Sequence, residues 1–329
     1  MKFSVIIPVY NRPDELKELL ESLKHQTYKE FEVIVVEDGS TLKCENIVTD
    51  YKNSLDITYY FKSNSGPGQS RNYGAKRSSG NYHVFFDSDC IIPEKYFEIV
   101  NNRLTKESVD AYGGPDMAHP SFSAIQKSIN YSMTSFFTTG GIRGGMKNEK
   151  KFHPRSFNMG FSKTVFEKTN GFSKMRFGED VDMSLRIIEN GFSTTLIKDA
   201  AVYHKRRVDY KKFFKQVFNS GIARINLYKR HPQSLKLVHF LPAGFTIGLS
   251  FLLILSVFRI YFLLPIGIFI VLIFLDSFRL NKNLYVALLS VISSFIQLIA
   301  YGLGFIKSFF KRIILGQDEF QAYKKNFYN

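Results

Sequence analysis

Two carboxylates stand one residue apart at the end of a short apolar run, Val84-Phe85-Phe86-Asp87-Ser88-Asp89. In an extended segment residues i and i+2 point to the same side, so Asp87 and Asp89 aim at one point. Carboxylates placed that way repel each other unless a cation sits between them, and oxygen donors suit Mg²⁺ or Mn²⁺. Such a cation keeps open positions for phosphate oxygens. Asp-x-Asp alone is common, and both residues could equally line a polar turn ahead of the helix that follows Pro93. A second acidic cluster, Gly178-Glu179-Asp180-Val181-Asp182, opens a helical stretch, where free backbone amides favour a charged carboxylate. A carboxylate there can take the proton of an attacking hydroxyl. The plainer reading makes Asp180 an N-cap and Asp182 a first-turn acid. His204 closes the last strand of this part and offers either a metal-ligating nitrogen or a purely structural ring.

The elements that must position these residues alternate between strand and helix. Phe3–Pro8 reads as a buried strand stopped by proline, and Pro13 opens a helix with Asp14 and Glu15 in its first turn. Leu16, Leu19, Leu20 and Leu23 then follow the spacing of one packed helix face. Glu32–Val36 is a second strand, so strand, helix and strand form a βαβ unit with a parallel sheet. Ile57–Phe61 repeats the theme, a helix is expected over Gln69–Arg77, and Val84–Phe86 is the strand that ends in Asp87. The C-terminal end of such a strand is where an open α/β sheet puts its ligand site. Beyond residue 91 helices are expected at Pro93–Leu104, Ser121–Phe137 and Asp180–Asn190. Short strands are expected at Ala111–Gly113, Phe157–Phe161, Ser193–Ile197 and Ala201–Tyr203. Thr138–Pro154, rich in glycine and Lys/Arg and without periodicity, has the length of loops that act as lids.

Charge is distributed unevenly. Residues 1–204 hold 26 Lys/Arg against 25 Asp/Glu, while residues 205–236 hold ten basic residues against one acid, Asp209. A nucleic-acid binder would spread its basic surface over the folded domain, so nucleic acid is disfavoured as a partner. Here the basic segment immediately precedes apolar runs, as expected beside an anionic membrane face. Within it, Phe213, Phe214, Val217, Phe218, Ile222 and Ile225 have helical spacing opposite the lysines and arginines, the pattern of an interfacial helix. Phe240–Phe258, Ile260–Leu275 and Asn283–Ile306 carry no charge over 19, 16 and 24 residues. The first and last are long enough to span a bilayer and the middle one is marginal. These runs divide the chain into residues 1–204, a basic interfacial segment at 205–236, a membrane region of two or three transmembrane or re-entrant helices at 237–306, and a polar tail at 307–329. Because positive charge favours the inner side, the tail is expected there, with Ile260–Leu275 as the re-entrant run. Cys44 and Cys90 make no disulfide framework, and Phe3–Val9 is too short for a signal peptide. The first part is therefore expected to face the cytoplasm from the cytoplasmic membrane.

At this point the residues carry a resemblance. Ser4–Ser40, Gly68–Gly74 (GQSRNYG), Phe86–Asp89 (FDSD), Asn158–Phe172 and Gly178–Arg186 (GEDVDMSLR) resemble the family 2 glycosyltransferases of the GT-A fold, in order and at fitting spacings. The resemblance implies a Rossmann-like α/β domain with a mixed, mostly parallel sheet, followed here by transmembrane helices. It implies an inverting transfer from a nucleotide-diphosphate sugar to a hydroxyl. Pro8, Tyr10, Asn11 and Arg12 would line the nucleotide pocket, with Asp38 on the base and Arg71 approaching the nucleotide. Asp87 would lie near the ribose with Ser88 beside it. Asp89 and His204 would hold a divalent metal, Mn²⁺ or Mg²⁺, on the pyrophosphate. Asp180 matches the general base, with Glu179 beside it. Cys90 stands where many relatives carry another acid, and Ser70 where alanine is usual; neither removes a catalytic group. The Gln-x-x-Arg-Trp signature of processive synthases is absent from a chain without tryptophan, which argues for single additions. A membrane anchor makes sense if the acceptor, such as a lipid-linked saccharide, is itself held among membrane lipids. A lipid-phosphate acceptor would need no base, and the Glu179-Asp180 pair speaks against it. A catalytically dead scaffold is the remaining rival.

Overall fold

A computed structural model describes residues 1–119, 121–141, 152–205 and 208–319 of the 329-residue chain. It divides into two compact units. The described part of the first is 1–117 with 152–204, and that of the second is 118–141 (less 120) with 205–319 (less 206–207). The expected lid at Thr138–Pro154 falls mostly outside the described residues.

The first unit begins β1 (Phe3–Val9), α1 (Pro13–Lys24), β2 (Phe31–Asp38), a short α2 (Glu45–Asp50) and β3 (Ile57–Lys62). It continues α3 (Pro67–Ala75), β4 (Tyr82–Phe85), β5 (Cys90–Ile91), α4 (Tyr96–Lys106), β6 (Ala111–Gly113) and β7 (Asp116–Met117). Two helices of the second unit intervene, α5 (Ala124–Thr134) and α6 (Phe136–Thr139), before β8 (Met159–Ser162), α7 (Lys163–Thr169), α8 (Glu179–Glu189), β9 (Thr194–Leu196) and β10 (Val202–His204). Seven strands form one sheet in the order β3-β2-β1-β4-β8-β6-β9, and β5-β10-β7 form a small second sheet. In the seven-stranded sheet β1 pairs in parallel with β2 and β4, β2 with β3, and β6 with β9, and among its described strands only β8 runs against its neighbours. This is the mixed, mostly parallel sheet that the resemblance implied.

Alternation along the strands builds a three-layer core. Val5 and Ile7 of β1 and Val33 and Val35 of β2 join a cluster with Leu16, Leu19, Leu20 and Leu23 of α1. Their neighbours Ile6, Ile34 and Val36 join the opposite cluster with Ala75, Met183 and Ile187. Both sheet faces are covered, which is why these strands read as unbroken apolar runs.

The helix expected over Ser121–Phe137 is two helices. Ser135 takes an extended backbone, ends α5, and accepts a hydrogen bond from Phe137 N (3.3 Å), so a side chain replaces the helical bond at that point. α5 and α6 group with the helices after residue 205. The second unit otherwise consists of α9 (Tyr210–Arg230), α10 (Leu241–Ser256), α11 (Leu264–Asn281) and α12 (Leu284–Phe309), with short 3₁₀ turns between them. Three stretches, Leu237–Ser256, Ile260–Asn281 and Leu284–Ile314, are long and apolar enough to cross a membrane. The apolar face of α9, expected to lie in a membrane interface, is instead packed on protein: Phe213, Val217 and Ile225 are buried, and Phe213 and Val217 cluster with Ala300 of α12. Glycines allow the approach, since a Cβ on Gly221 would lie 2.2 Å from Tyr301 O and one on Gly304 2.0 Å from Phe218 O.

Candidate active site

The strand order dictates where the site must be. From β1 the chain moves outward through β2 to β3, then returns to place β4 on the other side of β1. Loops leaving β1 and β4 therefore diverge, and the crevice between them is a topological switch point. Pro8–Arg12 follows β1, and Asp87–Asp89 follows β4. Across this crevice Arg12 Nη1 meets Asp89 Oδ2 at 2.5 Å.

His204 reaches the same carboxylate through sheet pairing. β10 runs antiparallel to β5 with His204 opposite Cys90, which puts its Nε2 3.1 Å from Asp89 Oδ1. Phe157 stacks on the imidazole with ring centroids 4.9 Å apart. Asn158 fixes the approach of this strand: fully buried, it accepts from Tyr96 Oη (2.6 Å) and donates to Ala200 O (2.8 Å), just before β10.

Arg71, on the buried face of α3, joins the two acidic clusters. Its Nη2 lies 2.6 Å from Asp87 Oδ1 and its Nη1 3.0 Å from Glu179 Oε1. Gly178, at φ 84°, takes the left-handed conformation that glycine adopts at little cost and starts α8 with Glu179 and Asp180 turned into the protein. Asp180 Oδ2 pairs with Arg155 Nε at 2.6 Å. The two neighbouring acids are driven apart electrostatically. Burial, and then the charge of Asp180, push Glu179 upward, only partly opposed by Arg71. Burial also works against the charge on Asp180, but Arg155, joined by Arg71 and the Val181 amide, outweighs it and the carboxyl is held below its ordinary value. One site thus contains an ionised acid beside one that retains its proton more readily, an arrangement suited to proton transfer.

The remaining expected residues serve this crevice differently. Asn11 is half-buried with φ 51°, and its Oδ1 accepts from the Thr41 and Leu42 amides at 2.8 and 2.9 Å, pinning the loop after β2. Asp38, expected on the base, is buried and turned to the chain itself: it accepts from the Ser65 and Gly66 amides (2.9 and 2.8 Å) and pairs with Lys62. It holds the turn that launches α3 and thereby aims Arg71. Pro8 and Tyr10 are half-buried beside the switch point, and Ser88 is buried between the two aspartates. Arg155, Lys62 and the positioning role of Asn158 were missed from sequence. The available signal for Arg155 was that two adjacent buried acids need more counter-charge than one arginine supplies.

A divalent cation fits the donor set. Among the described residues, Asp89, Cys90 and His204 bring ligand atoms within 4.8 Å of one another. A carboxylate oxygen and an imidazole nitrogen suit Mn²⁺. Cys90 is the weakest donor of the three: burial, followed by the neighbouring aspartates, pushes its thiol far up, and Sγ donates to Phe157 O at 3.5 Å. The guanidinium of Arg12 now supplies the positive charge that Asp89 requires.

Comparison with known proteins bears on the family and the fold. The model for glycosyl transferase family 2 matches residues 4–169. A glycosyltransferase of Rickettsia bellii is 48% identical over 98 residues, covering 30% of this chain and 14% of its own. The minor teichoic acid biosynthesis protein GgaB of Bacillus subtilis is 28% identical over 252 residues, covering 71% of this chain and 27% of its own. The chain thus spans well under a third of either relative. In structure, the mannosyltransferase PcManGT of Pyrobaculum calidifontis, solved with GDP-Man and Mn²⁺, superposes with a TM-score of 0.65 at 14% identity, covering 89% of this chain and 86% of its own.

Proposed function

The chain belongs to glycosyl transferase family 2, and on that premise we propose that it transfers a sugar, with inversion and with a divalent metal, from a nucleotide-diphosphate donor to a hydroxyl of a membrane-held glycan acceptor. One observation carries this reading. Arg71 ties the Asp87–Asp89 end of β4 to the Glu179–Asp180 start of α8, so donor-side and acceptor-side carboxylates share one buried guanidinium.

The chemistry follows from those groups. Asp180, held ionised by Arg155, takes the proton of the acceptor hydroxyl as its oxygen forms a bond to the anomeric carbon. The bond from that carbon to the diphosphate breaks on the opposite face, and its electron pair leaves with the phosphate. Asp89 and His204 would hold the metal, which when bound supplies counter-charge for the leaving diphosphate. Arg12, already beside Asp89, is placed to pair with phosphate oxygens once that carboxylate has another cation. Support for the metal comes from the Mn²⁺ and GDP-Man bound by the structural neighbour, and support for a cell-envelope polymer acceptor from the teichoic acid relative. The apolar helices of the second unit supply the reason for a membrane-held acceptor, with the first unit facing the cytoplasm.

Thermal unfolding of the detergent-solubilised protein with a panel of nucleotide sugars and Mn²⁺ tests the reading. At least one donor should raise Tm with Mn²⁺ but not in excess chelator, and Asp89→Ala should remove that gain. A full shift in chelator, or none with any donor, would overturn it.

A further inference from the structure

The three apolar stretches of the second unit have different surroundings. In an apolar window of 18 residues, only 11% of each of the first two is buried within the protein, against 44% for Leu284–Ile314. The third is sheathed by polar helices. α9 follows α12 along its length: Tyr210 Oη donates to Leu289 O (3.3 Å), Ser308 Oγ to Ile222 O (3.3 Å), and Arg312 Nε to Asn226 Oδ1 (3.0 Å). On another side Ser293 Oγ donates to Ser128 O of α5 at 2.8 Å.

α9 itself has no way to cross a bilayer. Lys211, Lys212 and Lys215 lie near its start, Arg224, Lys229 and Arg230 near its end, and only the eight residues 216–223 between them are uncharged. Eight helical residues rise about 12 Å, against a hydrocarbon core of about 30 Å. A helix bonded to α9 from end to end would drag those charges into hydrocarbon. By contrast α10 and α11 touch α12 over only part of their length, and both meet it at Phe295, through Phe245 and Phe269. Phe240 packs on Phe305 and Thr246 Oγ1 donates to Leu298 O (3.5 Å) on the outgoing leg. Phe269 meets Phe295 and Ser277 Oγ bonds Ser290 Oγ (2.7 Å) on the returning leg. Between them the apex is open and, apart from the exposed Arg259, apolar, with Val257 82%, Phe258 74% and Ile260 80% exposed.

We propose that α12 does not cross the membrane. α5, α9 and α12 form a platform on an anionic lipid face, attracted by the nine-charge excess of residues 205–236. Only the α10–α11 hairpin enters the bilayer, and the chain after α12 returns to the face that α9 occupies. The expectation that Ile260–Leu275 is the run that fails to cross is thereby replaced. The inference rests on the reading that the second unit meets a membrane.

Single cysteines at Lys215 (K215C) in α9 and Gln317 (Q317C) after α12, in the membrane-expressed protein, would be labelled with an impermeant maleimide in spheroplasts and in inverted vesicles. The parent protein, whose Cys44 and Cys90 are buried, is the control. Both variants should label in the same preparation. Labelling in opposite preparations, with the protein still sedimenting with membranes, overturns the proposal alone; a protein that stays soluble without detergent overturns the membrane reading as well. Spin labels at Leu288, Ile292, Leu303 and Ile313 give a second readout in vesicles containing phosphatidylglycerol. Their depths should agree within about one helix diameter, about 10 Å; a steady descent through the bilayer along α12 would overturn it.

Discussion

The two units use charge in opposite ways. In the α/β unit acids and bases are nearly equal in number and meet inside the protein: Arg12 with Asp89, Arg71 with Asp87 and Glu179, Arg155 with Asp180, and Arg186 with Asp182. Each pairing has at least one partner largely shielded from water, so each is directional and sensitive to its neighbours. In the helical unit the ion pairs are mostly local and solvent-exposed, such as Lys212 with Asp209 and Arg279 with Asp276. There positive charge far exceeds negative along one helix, and its effect is a field over a surface. The contrast separates charge that positions a reaction from charge that positions the whole molecule.

If that separation holds, substitutions in the two units should differ in kind. The largest effect is expected from Asp180→Asn, which is nearly isosteric and leaves donor binding intact. Turnover should fall by roughly 10²-fold or more, because the amide cannot take the acceptor proton. Unchanged turnover in a direct transfer assay would remove Asp180 from the reaction.

Arg155→Ala sharpens the comparison inside the first unit. With Arg155 present, Asp180 stays ionised as pH falls, so the acid limb of kcat should lie below the ordinary carboxylate value of about 4. Without it, burial dominates and the limb should move up. The linkage has the same sign: Asp180, lowered in the folded state, stabilises above its unfolded value and loses that contribution as pH falls through the lowered one. Glu179, raised in the folded state, contributes below its unfolded value and loses that contribution as pH rises through the raised one. A pH–rate profile insensitive to Arg155 would break the assignment.

The smallest effect on turnover is expected from the other unit. Replacing Lys211, Lys212 and Lys215 with glutamine should weaken binding to anionic vesicles by about 1 kcal/mol per residue at low salt. Turnover on a water-soluble acceptor should stay the same. A large loss of turnover there would mean that the helical unit takes part in the chemistry and that the contrast is false.

Much of the architecture could be read from periodicity. The alternation of apolar strands with amphipathic helices through residue 91 determined a parallel α/β sheet, since strands buried on both faces need apolar residues at every position. The placement of Asp87 and Asp89 at a strand end, and of Glu179 and Asp180 at a helix start, was likewise written in local sequence. So was the existence of three apolar helices. What local sequence could not specify was partnership. His204 meets Asp89 only because β10 pairs with β5 in one register, and Arg71 links acids 16 and 108 residues away. Asp38 gives its oxygens to the Ser65 and Gly66 amides, a partnership that only the fold establishes. The basic helix α9 has the same amphipathic pattern whether its apolar face meets lipid or protein; the opposed glycines Gly221 and Gly304 decided for protein by letting two backbones touch. Periodicity records which side of an element is apolar, because that depends on the element alone. Which charge faces which, and what covers an apolar side, depend on residues far away in sequence, and only the assembled fold brings those together.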